Sequence, residues 1–379
     1  MRNPFLAVNV SVLLVVLFFA VHALALDKTL YRFPGGHRGS DPEYGIVLDA
    51  TGNVYGTTSY GGSYGWGTVY ELKKSKNRWH QQVIYSFLGG VDGYQPWSNL
   101  LIDQNGNLYG TTPFGGTGTG CENQSGGCGT FFVLTPSHGN WKHTVLYNFC
   151  SVSDCSDGAN PYGLSFDRSG DILGMAGGGI CSYCGVVFKL HRSSRGWTET
   201  VVHTFDDQGD GFDPNPGLTV DGAGNVYGTT WSGGSSGYGI VFELQAMKHA
   251  WTELILYQFT GSGDDKDPNG GLVVDAKGNL YGSTSDNFGG CTYGCGTIYE
   301  LTPSKGGWVK NIVYAFDGPH GASPMRCFSI RQVTITAQPC LEANTTAAQS
   351  SSWSQERSGR SKFFITSLDK AAMPTRILD

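Results

Sequence analysis

Cysteine is the residue in this sequence most able to do chemistry. Ten occur in 379 residues, and eight of them fall in close pairs: Cys121 with Cys128, Cys150 with Cys155, Cys181 with Cys184, and Cys291 with Cys295. Thiols at such spacing bind a metal, exchange with other thiols, or close as local disulfides. The "CSYC" run from Cys181 has the gap of a redox or zinc knuckle, but it lacks a helix N-terminus and a second ligand pair at suitable spacing. Three of the pairs occupy one equivalent loop in three repeat units, which a single metal centre does not explain. Disulfides pinning long loops in an oxidising compartment are expected, each worth about 2 kcal/mol in the chain-entropy model. Cys327 and Cys340 have no partner in the pattern.

Carboxylates are the next candidates. Acidic loops such as "DDQGDGFDPNP" from Asp206 and "GDDKDPNGG" from Gly263 could offer oxygens to Ca2+, with Asp206, Asp210 and Asp213 as the ligands. The spacing fits no complete EF-hand loop, which would also need a Glu at its twelfth position, and ordinary Asp/Pro turns explain the same residues. His203 stands where other units carry Tyr and is expected to pack between units. No nucleophilic triad or acid/base pair can be assembled from the sequence, so it predicts no catalytic residue and, Ca2+ apart, no cofactor.

These side chains need elements to hold them, and one set of elements recurs five times. The phrase Asp-x-x-Gly-Asn-(Leu/Val)-Tyr-Gly-Thr-Thr is seen as "DATGNVYGTT" from Asp49, "DQNGNLYGTT" from Asp103, "DGAGNVYGTT" from Asp221 and "DAKGNLYGST" from Asp275, with a decayed copy, "DRSGDILGMA", from Asp167. The spacing is 54 residues except between Asp103 and Asp167, where it is 64. A period of this length means a propeller or a solenoid. Each unit holds four short β-type stretches, for example "GLTVD", "NVYGTT", "IVFEL" and "WTELILYQF". Four strands per unit is the propeller blade, and no helical pattern recurs, so α-solenoids are excluded. The Asp-x-x-Gly-Asn stretch reads as a tight turn whose carboxylate accepts backbone N–H bonds while Gly, and often Asn, adopts positive φ. Trp79, Trp141, Trp197, Trp251 and Trp308 each precede a strand ending in Tyr-x-Phe, or His-x-Phe at His203, and a further "YRF" stands at Tyr31. Aromatics at one fixed position per unit predict packing between neighbouring blades. The early "YRF" predicts an outer strand that the N-terminus supplies to close the ring.

The repeated phrase, from about Tyr31 to Pro324, resembles the GloVer tandem repeat of secreted or surface bacterial proteins. That resemblance implies a propeller-like surface protein and little chemistry. The phrase then stops at "SPMRCFSIRQVTITAQPC", although a sixth aspartate is due at Ser329. Shifting the reading frame by one nucleotide after Pro324 permits Ala-Val-Phe-Phe-Asp-Ser-Ala-Gly-Asn-Tyr-Tyr-Gly-Thr-Thr from Met325, with the aspartate landing at Ser329. Further on, Thr346 to Ser352 permit Gly-Gly-Thr-Val-Phe-Glu-Leu, and Lys362 to Thr366 permit Val-Leu-Tyr-x-Phe. A sixth blade lost to a frameshift is the expectation, against a divergent, disordered tail.

Composition agrees with an all-β chain: 57 Gly, 13% aromatic and only 15% charged residues. A net charge of −6 with no basic cluster leaves no electrostatic footprint for nucleic acid. The start, with Arg2, an apolar run from Val8 to Val21 and small residues at Ala23 and Ala25, reads as a secretory signal peptide, with an uncleaved membrane anchor as the rival. The expected organisation is a signal peptide at 1–25, a β-propeller repeat domain at 26–324 without a membrane span, and an aberrant tail at 325–379. Function is expected to be a non-catalytic scaffold outside the cytoplasm, in the periplasm or at the cell surface, that binds a protein or glycan. The alternative is a secreted propeller hydrolase or lyase whose residues converge only in three dimensions.

Overall fold

The structure, a computed structural model, describes residues 29–316 apart from 122–125, 153, 179–183, 207–208, 249, 262–264 and 287–295, and beyond them the strands Phe328–Arg331, Thr334–Ala337 and Lys362–Phe364. The expected signal peptide and the break at Pro324 lie outside the described residues. Five antiparallel sheets follow one another along the chain, each with its strands in sequence order. Sheet I holds Val47–Leu48, Val54–Thr58, Thr68–Ser75 and Arg78–Ser86; sheet II holds Leu101–Ile102, Leu108–Thr112, Thr130–Ser137 and Asn140–Asn148. Sheet III holds Ala159–Phe166, Ile172–Gly177, Gly185–Ser193 and Gly196–Phe205. In sheets IV and V the first strand is split into two pieces after a proline: Phe212–Pro214 and Thr219–Val220 both pair with Val226–Ser232, and Lys266–Pro268 and Val273–Val274 both pair with Leu280–Asp286. Proline offers no N–H to the ladder, so pairing lapses beyond it and resumes five residues on, at Thr219 and Val273. Ile240–Ala246 and Trp251–Gln258 complete sheet IV; Thr297–Ser304 and Gly307–Ala315 complete sheet V.

The recurring Asp builds its turn as the sequence predicts, with one refinement. Asp49 Oδ1 accepts the N–H groups of Thr51 and Asn53, and the pattern repeats at Asp103, Asp167, Asp221 and Asp275. Positive φ falls on glycine alone, at Gly52, Gly106, Gly170, Gly224 and Gly278. The asparagine contributes its amide instead: Asn53, Asn107, Asn225 and Asn279 each donate Nδ2–H to the other carboxylate oxygen.

The core is shared out between sheets. Tyr55, Val69 and Phe87 of sheet I pack on Leu100, Leu108 and Phe132 of sheet II, and Tyr109, Phe131 and Phe149 pack on Leu164 and Phe188 of sheet III. Phe205 meets Phe242 of sheet IV, and Phe259 meets Tyr299 of sheet V. Third strands are therefore mainly apolar and buried over their first residues, with Thr and Glu among them, whereas fourth strands alternate exposed and half-buried positions over their first half. Each sheet also carries a device that seats the next. The glycine opening or preceding the third strand, at Gly67, Gly129, Gly185 and Gly239, leaves room for the ring of Pro96, Pro161, Pro214 and Pro268 on the following sheet, 2.4–2.7 Å from where a Cβ would stand. First strands face one another along the series, where Asn99 exchanges two hydrogen bonds with the Leu164 backbone. Fourth strands form the opposite margin.

Candidate functional site

The fourth strand is where the sequence varies most in chemistry. Two residues after each recurring tryptophan stand Gln81, His143, Glu199, Glu253 and Lys310, all turned toward the preceding sheet or strand. There each meets the Tyr or His of the Tyr-x-Phe position and, from sheet II onward, an aspartate from the intervening loop. Between sheets I and II, Tyr85 donates to Asp92 at 2.7 Å, His143 Nδ1 lies 3.0 Å from Asp92, and the two rings stack at 4.4 Å. Burial alone would raise the Asp92 carboxyl, but His143 and the Leu88 N–H hold it below its usual range. Between sheets IV and V, Lys310 Nζ pairs with Asp265 at 2.9 Å, stands 5.1 Å from the Phe259 ring centre, and shares Asp265 with the Thr297 hydroxyl.

The two central interfaces are acid-rich. Between sheets II and III, Asp157 accepts from Tyr147 and from the Ser151 N–H and hydroxyl, while Glu199 Oε1 is buried without a partner. Burial, with Asp157 nearby, pushes the Glu199 carboxyl up to about 8. Between sheets III and IV, His203 replaces the tyrosine, and its Nε2 lies 3.4 Å from Asp210 Oδ2 and 3.8 Å from Glu253 Oε2. Burial lowers the His203 imidazole and pushes Glu253 up to about 8. As expected, His203 packs between sheets, edge-on to Phe205 at 4.6 Å. Of the three expected Ca2+ ligands, Asp210 is brought into this cluster and Asp206 lies close enough to raise Asp210 and Glu253 electrostatically. Asp213 is not part of it: it occupies the left-handed position, φ 56°, that precedes Pro214. Sequence reasoning missed Glu253, because the position two after tryptophan recurs in spacing but not in residue type.

The cysteines converge more than local loops require. Cys121 is joined to Cys128, and Cys150 to Cys155, and all four lie in one buried cluster with Ala159, between sheets II and III. Cys184 is disulfide-bonded. Cys181, Cys291, Cys295, Cys327 and Cys340 lie outside the described residues.

A third feature is on the surface. The loop between the second and third strands of sheet I presents Tyr60, Tyr64 and Trp66, which are 46%, 59% and 43% exposed. Trp66 lies 5.0 Å from the ring of Tyr94, Tyr94 stacks on Phe114 at 5.3 Å, and Phe114 meets Trp97 edge-on at 5.2 Å. Backbone bonds hold the row in place: Gln95 N–H donates to Trp66 O, and Tyr94 N–H to Phe114 O. Beside it a shallow groove of about 440 Å³ is lined by His37, Tyr64, Ile84, Tyr85 and Leu88. The residues around these rings are mainly Gly, Ser, Thr and Pro, with no lysine or arginine between Tyr60 and Leu72.

With this geometry in view, comparisons with known proteins give three findings. The sequence profile of the Gloeobacter/Verrucomicrobia repeat matches residues 117–335. No curated protein matches. Among solved structures, a candidate 6-phosphogluconolactonase of Bacteroides uniformis is 14% identical with a TM-score of 0.47, covering 76% of this chain and 75% of that one. A luciferin-regenerating enzyme is 12% identical with a TM-score of 0.46, covering 86% and 89%. An ulvan lyase of polysaccharide lyase family 25 is 14% identical with a TM-score of 0.45, covering 75% and 74%.

Proposed function

The chain belongs to the Gloeobacter/Verrucomicrobia repeat family, and from that premise we propose that it is a non-catalytic scaffold outside the cytoplasm, a propeller whose loop-bearing face binds a glycan. The observation that carries the reading is the aromatic row of Trp66, Tyr94, Phe114 and Trp97. Flat, partly exposed rings held by backbone bonds offer stacking area to the C–H face of a sugar at little entropic cost. Their neighbours are uncharged and polar, suited to hydroxyl groups. Four-stranded sheets in sequence order, with first strands facing one another, support the propeller part of the proposal. Disulfides support an oxidising compartment. Among the described residues no helix is long and apolar enough to cross a membrane.

A hydrolase or lyase would need a general acid and a base around the first strands, where the sheets face one another. Among the described residues, ionisable side chains converge at the fourth-strand margin and at the Asp167 turn, where Lys189 pairs with Asp167 and Asp171, which supports binding over turnover. The test is affinity electrophoresis of the full chain through gels containing soluble neutral polysaccharides. Retardation by at least one of them is expected, with dissociation constants near the millimolar range, and Trp66→Ala is expected to weaken it about tenfold. Migration unaffected by every polysaccharide, or equal retardation of Trp66→Ala, refutes the assignment of this face.

A further inference from the structure

Each of the four described interfaces between sheets buries a polar pocket; the first and last pair their carboxylate with a cation-forming side chain, and in the second Asp157 is met by hydroxyl donors while Glu199 lacks a partner. Asp92 has the Tyr85 hydroxyl and His143; Asp157 has the Tyr147 hydroxyl and Ser151; Asp265 has the Lys310 ammonium and the Thr297 hydroxyl. The pocket between sheets III and IV departs from this in two positions at once. A histidine replaces the tyrosine donor, and Glu253 occupies the position that Lys310 fills one sheet later. Two carboxylates, from Asp210 and Glu253, then face an imidazole, with Asp206 close by. The Nε2 of His203 and the Oε1 of Glu253 are buried atoms with no hydrogen-bond partner. Such orphaned groups cost free energy unless something else satisfies them.

We propose that His203, Asp210 and Glu253 bind a divalent cation of zinc type, which joins sheet III to sheet IV. One donor atom from each of the three lies within 4.8 Å of the other two, and the imidazole nitrogen is 3.4 and 3.8 Å from its carboxylate partners. Donors set tetrahedrally around an ion at about 2.1 Å stand about 3.4 Å from one another, so closing this triangle on a metal needs only small side-chain shifts. One imidazole with two carboxylates suits zinc or a neighbouring first-row ion. Calcium, which takes six to eight oxygens, fits the set poorly. The cation takes the electrostatic place of the Lys310 ammonium in the next interface. The proposal is independent of glycan binding, since the pocket lies at the fourth-strand margin rather than among the exposed aromatics.

The test uses the full chain, oxidised so that its disulfides stay closed, stripped with a chelator and titrated with zinc chloride. One equivalent of zinc is expected to bind, and zinc at a hundredfold excess over its dissociation constant is expected to raise the thermal midpoint by about 5 °C, with calcium giving no comparable shift. Two variants separate this site from any other. His203→Tyr installs the residue that sheets I, II and IV carry at this position, and Glu253→Lys installs the one that sheet V carries. Both are therefore expected to fold, and both should lose the zinc-dependent shift. Glu253→Lys should also melt higher than the stripped parent, because its ammonium meets Asp210. A parent that binds no zinc, or a zinc shift of equal size in both variants, overturns the proposal.

Discussion

At the scale of single residues, the interface pockets make stability depend on pH in a direction that can be worked out. Glu199 is pushed up to about 8 by burial and by Asp157, against an ordinary value of 4.5 in the unfolded chain. Between those values the folded chain holds the extra proton, so stability is full below about pH 4.5 and declines as pH rises toward 8. The thermal midpoint is expected to fall between pH 5 and pH 8, and Glu199→Gln, which keeps the shape without the charge, should flatten that fall and melt about 3 °C higher than the parent at pH 8. Melting curves across this range check it, and an unchanged slope in the variant would assign the titration elsewhere. The turn aspartates titrate in the opposite sense. Burial would raise Asp221, but the N–H groups of Asn225 and Ala223 and the Tyr227 hydroxyl hold it below the usual range, so its stabilisation is lost as pH falls through the acid range. Asp221→Ala should cost about 2 kcal/mol in urea unfolding at pH 7, since it leaves two turn N–H groups and the Asn225 side-chain amide short of an acceptor, while the Tyr227 hydroxyl keeps Glu243. These aspartates were legible in the sequence because type and spacing both recur. The pocket residues were hidden because Gln81, His143, Glu199, Glu253 and Lys310 share a position but not one residue type.

At the scale of elements, one irregularity lets a single strand serve two interfaces. In every sheet the register slips by one residue in the fourth strand, so that Val83 pairs with Tyr70 while Tyr85 pairs with Val69, and Ile84 is left over. The same slip falls at Leu146, Val202, Leu256 and Val313. Without it, Trp79, Gln81, Val83 and Tyr85 would all lie on one face by strict alternation. With it, Trp79 packs beside Tyr70 on the side of the preceding sheet, and Tyr85 packs beside Val69 on the side of the next. The four-strand unit and its aromatic clock could be read from sequence, but a bulge leaves no residue-type signature, and neither does a contact between sheets. The Gly and Pro that seat successive sheets were each visible as turn residues; their meeting was not. Gly185 makes that contact measurable, since a Cβ there would stand 2.4 Å from Pro214 Cδ. Gly185→Ala is expected to cost about 3 kcal/mol by overpacking. The control is Gly224→Ser at a turn with open space around it, where only the positive φ is penalised, by about 1 kcal/mol. Urea titrations of the pair decide it, and equal losses would mean that the Pro214 contact adds nothing.

At the scale of the whole molecule, the interfaces between the described sheets form a series whose two end faces differ. Tyr85–Phe87, Tyr147–Phe149, His203–Phe205 and Tyr257–Phe259 each place a Phe edge against an aromatic of the next sheet. Ahead of sheet I the N-terminal strand does the same work: Tyr31 lies 5.2 Å from Phe33, Phe33 lies 4.7 Å from Tyr70, and the Tyr31 hydroxyl donates to Gln81. It packs on sheet I as each fourth strand packs on the sheet that follows it, and its backbone, Thr29–Arg32, pairs with Lys362–Phe364. At the other end, Ile312, Val313, Tyr314 and Ala315 are exposed, although the matching residues at 83–86, 145–148 and 201–204 are half-buried beneath the following sheet. A sixth sheet would cover Val313 and Tyr314 and meet Phe33's strand on its far side, which is the place that the shifted reading frame after Pro324 would fill. An uncovered apolar sheet face is a site for self-association. The chain as it stands is therefore expected to sediment as concentration-dependent oligomers, and Val313→Lys to shift it toward monomer. The chain with one nucleotide restored after the Pro324 codon should be monomeric and melt higher, because each closed interface adds buried apolar area on both of its sides. If both chains sediment alike as monomers, the exposed face of sheet V needs no partner and the repeat series ends at five.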